Sequence, residues 1–117
     1  AKASAFLFTP LWEEPFGLSA VEAMATGLPV AALDRGAARE VIGDAGCFSR
    51  TGTATDLSAA LCGALEISPR TARQRVETRF SLSVMAQNCI REYHLARDSL
   101  AVPYEAATFS RRELARP

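Results

Sequence analysis

Cysteine is scarce in this chain and histidine nearly missing. Cys47, Cys62 and Cys89 are odd in number, far apart and never in a C-x-x-C pair. That spacing gives no disulfide framework and no zinc site, and the three read as small apolar residues of a reduced protein. His94, the one histidine, sits among charged residues and reads as a surface side chain. With no second histidine and no Cys-His pair, nucleophilic hydrolysis has no support. Excess charge is also lacking: 13 Lys and Arg balance 13 Asp and Glu, which argues against a general nucleic-acid or anionic-membrane binder. No apolar run approaches the roughly 18 residues of a membrane span. Ala1–Pro10 shows no secretory signal and no starting Met, so the reading expects a piece of a longer, cytoplasmic protein. The 117 residues, 49% apolar and 22% charged, suit one soluble globular domain rather than a disordered chain.

Along the chain, short apolar runs alternate with helical patterns. Ala5–Thr9 reads as a buried strand, continuous apolarity fitting a parallel strand covered on both faces. A loop, Leu11–Gly17, leads to a helix over Leu18–Thr26 that Gly27 and Pro29 end. Pro29–Leu33 reads as a second buried strand, Ala37–Ile42 as a short helix and Gly46–Ser49 as a third, edge-like strand. Thr55 or Asp56 is expected to cap a helix with a Leu57, Ala60, Leu61, Ala64, Leu65 stripe. Ser68-Pro69 starts another helix. Its Arg70, Arg73, Arg75 and Arg79 fit a phosphate patch less well than a solvated face. Ser81 or Ser83 opens a last helix to about Leu100, with Met85, Cys89, Tyr93 and Ala96 along one side. From Ala101 to Pro117 periodicity is lost, and that tail is expected to be disordered or to lie on a partner surface. The alternation implies βαβ units, that is, an α/β fold with part of a doubly wound, Rossmann-like parallel sheet.

The segment Glu13–Thr26 carries the chemistry. Glu22 is the one charged residue between Leu18 and Val30, in a helix apolar enough to be buried. A lone carboxylate there needs hydrogen-bond donors. Two readings stand side by side: the hydroxyls of a ligand such as a ribose diol, or an opening to solvent or an arginine partner. Ahead of it, the first-turn amides at Phe16, Gly17 and Leu18 have no partner within a helix and sit at its positive end, an anion site suited to a diphosphate. Gly17 lets a ligand approach the backbone. Glu14 stands eight positions before Glu22. With the helix starting between them, both carboxylates are expected to face the crevice beyond the strands' carboxyl ends. Hydroxyl acceptors beside a diphosphate cradle suggest a sugar nucleotide.

The run Glu14-Pro-Phe-Gly-Leu-Ser-Ala-Val-Glu22-Ala-Met-Ala-Thr-Gly27-Leu-Pro29-Val30-Ala31 closely resembles the signature of the family-4 glycosyltransferases, retaining enzymes of the GT-B fold. Its hallmark is two glutamates separated by seven residues, then E-A-M-A-x-G-x-P-V. Gly36 and Glu40-Val41-Ile42 match the G-x-x-E-[VI] stretch that follows, and Phe80-Ser81 and Tyr93 resemble the closing helices. The likeness covers about residues 1 to 98. It implies that Glu14 is the catalytic-site carboxylate that holds the donor sugar's hydroxyls near the anomeric centre. It further implies that the amides of Phe16, Gly17 and Leu18 hold the sugar and distal phosphate, and that Glu22 takes the ribose hydroxyls. No bound metal or other cofactor is expected, backbone dipoles and basic side chains stabilising the departing diphosphate. Same-face attack is expected, so the two glutamates are not a hydrolase's acid and nucleophile.

One departure is Gly36-Ala37, where the family often has a Gly pair, which weakens the case for close backbone approach there. The family's basic diphosphate ligands and base-contacting segment precede the first strand, so residues 1 to 100 are read as part of a donor-binding domain. Residues 101 to 117 are read as a tail crossing to an N-terminal domain. The expected partners are a nucleotide-sugar donor and a glycan, lipid or small-molecule acceptor bound by that other domain. Nucleic acid is not expected, and peripheral membrane association of the parent protein is compatible with the reading. The alternatives are a non-catalytic nucleotide-sugar-binding or regulatory module, and an open α/β interaction domain with both glutamates structural.

Overall fold

A computed structural model describes residues 2–99. Three strands, β1 (Phe6–Phe8), β2 (Val30–Leu33) and β3 (Gly46–Ser49), alternate with α1 (Leu18–Ala25) and α2 (Ala38–Ile42), and a single 3-10 turn, Gly43–Ala45, leads into β3. After β3 come α3 (Ala54–Leu65), α4 (Pro69–Arg79) and α5 (Leu82–Ser99). The chain divides into a compact unit up to Ala86 and a second unit from Gln87, whose described part is the rest of α5.

The strands pair in the order β1-β2-β3, all parallel, with Phe6 opposite Val30 and Val30 opposite Gly46. Alternate residues serve opposite faces of the sheet. Phe8, Val30 and Ala32 pack with Ala20 and Met24 of α1, Ala38, Val41 and Ile42 of α2, and Ala72 of α4. On the other face Ala31 packs with Ala60 and Ala64 of α3, beside Cys47 and Leu61. This is the Rossmann-like α/β arrangement the alternation predicts. One strand departs from expectation. β1 is not covered on both faces, because Leu7 is 49% exposed while Phe8 is buried. The cluster containing α3 reaches β2 and β3, so the Leu7 side of β1 has no helix of its own among the described residues.

Local chemistry explains the helix ends. α1 begins at Gly17 in the left-handed region (φ 86°), with no side chain capping it. A Cβ there would stand 2.7 Å from the Phe8 ring, so the position needs glycine on both counts. The helix closes in a Schellman motif: Gly27 N–H donates to Met24 O and Leu28 N–H to Ala23 O, with Gly27 at φ +87°. α4 starts where expected, Ser68 Oγ accepting from Arg70 N–H and Pro69 in the first turn. α3 is capped by Thr53 rather than Thr55 or Asp56. Asp56 instead turns back one turn, its Oδ2 accepting from Ser49 Oγ, Arg50 N–H, Thr51 N–H and Thr51 Oγ. A residue at the third helical position reaches the loop before the helix more easily than it can cap its own start.

The arginine-rich face of α4 is solvated at Arg70, Arg73 and Arg79 but not at Arg75. Arg75 donates to Val41 O at 3.1 Å and Glu40 O at 2.5 Å, and pairs with Asp44 at 3.7 Å. It thus satisfies carbonyls at the end of α2 that have no partner inside so short a helix. In α5 no residue is buried, and Met85, Cys89 and Tyr93 are exposed. The expected stripe exists along that helix with its side chains exposed; Leu100 and the tail lie outside the described residues.

Two stability outcomes follow. Met24→Ala removes the largest fully buried side chain, and urea unfolding should show a loss of about 2–5 kcal/mol. The hydrogen bond from Thr51 N–H, then those from the Thr51 and Ser49 hydroxyls, hold the Asp56 carboxyl below its ordinary 3.8. A group with a depressed folded pKa stabilises above its unfolded pKa and loses that contribution as pH falls through the folded one. Asp56→Asn should therefore lower Tm at neutral pH. In melts across a pH series, the gap to the unaltered chain should close below pH 3.8.

Candidate functional site at the strand ends

Because all three strands run one way, the loops that follow them gather at the carboxyl edge of the sheet. In open α/β sheets ligands bind at that edge. Here it consists of the β1–α1 loop (residues 9–17), the β2–α2 turn (residues 34–37) and the β3–α3 loop (residues 50–53).

The first two of these are bonded to each other. Ala37 N–H donates to Glu14 O at 2.9 Å, Gly36 N–H to Glu13 Oε2 at 2.5 Å, and the Arg35 guanidinium to Leu11 O at 3.1 Å. Gly36, at φ +53°, lies so close to the Glu14 backbone that a Cβ would overlap its nitrogen and oxygen. The departure at Gly36-Ala37 is thus resolved in this chain. The close approach at Gly36 is to the protein's own loop, and Ala37 contributes its N–H, which any residue but proline supplies. Glu14 is half-buried, and its Oε2 accepts from Trp12 Nε1 at 2.8 Å.

From Glu14 the chain runs into α1. The Phe16 ring meets Phe80 edge-on, centroids 5.5 Å apart, which anchors the loop from behind. A cavity of about 80 Å³ between Pro15, Phe16, Ala37, Glu40, Val41, Arg79 and Phe80 is far below the roughly 300 Å³ of a ligand pocket. A ligand at this edge would therefore lie on the open loop surface. At the helix start, Gly17 O accepts from Ala20 and Val21 N–H. The N–H groups of Leu18 and Ser19 find no acceptor among the described residues. Two unspent donors at the positive end of a helix suit an anion.

Glu22 corrects an expectation. It is exposed, not buried, and no arginine pairs with it among the described residues. α1 turns Ala20, Ala23 and Met24 to the core; at 100° per residue Glu22 falls on the opposite side, with Leu18 one turn before it, itself 68% exposed. Small alanines had made the helix look apolar all round. The desolvation argument for a ligand at Glu22 therefore falls away.

Two of the cations at this edge, Arg35 and Arg39, are engaged. Arg35 holds the Leu11 carbonyl, and Arg39 makes a two-pronged bond to Asp34, at 3.0 and 2.5 Å, with its guanidinium 4.5 Å above the Phe48 ring. That bond from Arg39 holds the Asp34 carboxyl below its ordinary range. The bonding of Glu13 and of the Arg35–Ala37 turn was not legible beforehand, since it joins segments some 23 residues apart. Gly36 in an Asp-Arg-Gly turn was the one signal of a close approach.

An open parallel sheet with helices on both faces and an uncapped helix start at its carboxyl edge defines a Rossmann-like α/β domain. The chain belongs to the family described as "Glycosyl transferases group 1", whose model matches residues 1–80. It is therefore a glycosyltransferase domain, and the family implies a nucleotide-sugar donor and an acceptor. No curated protein matches the chain. No described helix is long and apolar enough to cross a membrane.

Gly36→Ala tests the bonding of the two loops. A left-handed alanine costs roughly 1–2 kcal/mol before any clash. Urea unfolding should show at least that loss, since the added methyl group meets backbone rather than a yielding side chain.

Proposed function

We propose that the chain is the donor-binding, C-terminal part of a retaining family-4 glycosyltransferase of the GT-B fold. It would take a sugar from a nucleotide-sugar donor to an acceptor hydroxyl bound largely by an N-terminal domain. The reading is carried by the open start of α1. There Leu18 and Ser19 N–H lack acceptors among the described residues, between two glutamates, at the carboxyl edge of a parallel sheet, in a chain of a glycosyltransferase family.

In this reading the amides around Phe16, Gly17 and Leu18 bind the sugar and the distal phosphate. Glu14 is the catalytic-site carboxylate, accepting from sugar hydroxyls beside the anomeric carbon through the oxygen that Trp12 leaves free. Glu22, four residues beyond Leu18 on the same exposed helix face, accepts from the ribose hydroxyls. The bond from the anomeric carbon to phosphate oxygen breaks, the bond to the acceptor oxygen forms on the same face, and the acceptor's proton passes to the departing diphosphate. Charge developing on that leaving group is met by fixed peptide dipoles, most effective where water is excluded. No metal or other cofactor is assigned to this half of the site, and the proposed location is the cytoplasm. The acceptor is a glycan, a lipid or a small molecule, a lipid acceptor bringing the enzyme to a membrane surface.

Hydrogen bonds to a charged group contribute about 1.5–3 kcal/mol, so Glu22→Ala should weaken donor binding roughly ten- to a hundredfold. Calorimetry on the intact enzyme with UDP-glucose and GDP-mannose reads this directly. Unchanged affinity for whichever of the two binds would dismiss the ribose role.

A further inference from the structure

We infer that Glu13, beside the proposed catalytic-site carboxylate, is the positioning residue for Glu14; the inference rests on the donor-site reading of Glu14. Consecutive residues of the β2–α2 turn donate to consecutive residues of the β1–α1 loop: Gly36 N–H to the Glu13 carboxylate and Ala37 N–H to the Glu14 carbonyl. The first of these is charge-assisted, its acceptor being a carboxylate, the stronger kind. It is also the only one of the turn's bonds to Leu11–Glu14 whose acceptor is a side chain. A substitution at residue 13 can therefore remove it without touching the main chain.

Glu14 has little else to fix it. Its own backbone is held at the carbonyl by Ala37, and its side chain is held at Oε2 by Trp12. Trp12 is itself 63% exposed and only two residues away in the same loop. That single contact of the side chain does not tie it to the sheet. The route from the sheet to Glu14 runs through the turn that follows β2, whose Asp34 N–H donates to Ser49 O of β3 at 3.0 Å. Gly36 lies so close to the Glu13–Glu14 backbone that it leaves no room for a side chain, and its N–H meets the Glu13 carboxylate there. Glu13 is exposed and contributes to no core, which separates positioning from packing. Removing its carboxylate leaves the turn only the bonds from Ala37 and Arg35 to the loop and loosens the hold beside Glu14. A displacement of about 1 Å at a positioned group costs on the order of a hundredfold in rate.

The test uses Glu13→Ala, Glu13→Gln and Glu14→Ala in the intact enzyme. Donor turnover, with its kcat and KM, is measured on UDP-glucose or GDP-mannose, whichever binds, together with the affinity of the matching nucleoside diphosphate and a thermal melt. Glu13→Ala should lower kcat about ten- to a hundredfold while UDP or GDP affinity stays within about twofold and Tm is little changed. Glu13→Gln, whose amide oxygen can still accept from Gly36 N–H, should recover most of the rate. The inference is overturned if Glu13→Ala weakens the nucleoside diphosphate as much as it slows turnover, which would mark a merely structural role. It is also overturned if Glu13→Gln is no better than Glu13→Ala, or if Glu13→Ala keeps full kcat while Glu14→Ala loses it. Full turnover in Glu14→Ala would instead remove the donor-site reading itself, and this inference with it.

Discussion

Gly17 lies against the tip of the Phe8 ring, in a backbone conformation that side chains resist, with 2.7 Å between Phe8 Cζ and the place a Cβ would occupy. The contact sets how close α1 comes to the end of β1, and it leaves the first turn of the helix without a side-chain cap. Serine or aspartate at that position would satisfy one of the free amides internally. A glycine cannot. The same feature that lets the loop descend onto the strand therefore leaves donors available to an anion, so that packing and the proposed binding share one residue.

Around this point the fold arranges three loops by strand direction alone. Parallel strands return their chain through helices, so each strand-to-helix loop emerges at the same edge. The small residues of β2, Ala31 and Ala32, are fully buried on opposite faces, which allows close approach of helices on both sides. The loops are then bonded laterally, from turn to loop, by main-chain donors at Gly36 and Ala37. Rigid support of this kind is what a site built on loops needs, since hydrogen bonds to mobile groups position little.

Much of the architecture was legible before the structure. Apolar runs bounded by Gly and Pro mark β1, β2 and β3 to within about a residue, and Ser68-Pro69 marks the start of α4. These are local signals, spoken by backbone sterics and caps. Apart from the cap of α3, the errors share one cause: burial is a property of neighbours. Leu7 reads as core and is half-exposed; Glu22 reads as buried and faces outward because α1 needs only one side for contact; Arg75 reads as solvated and is spent on the carbonyls of α2.

By itself the amino-acid order determined the α/β class, most of the places where helices begin and end, and the paired glutamates with a glycine between them, since each depends on residues a few positions apart. Only the tertiary structure decided that Glu22 is exposed, that Arg35 and Arg39 are engaged within the protein, and that Glu13 reaches across to Gly36. Those outcomes depend on which segments meet after some twenty residues of intervening chain, and no periodicity or local propensity encodes such a meeting.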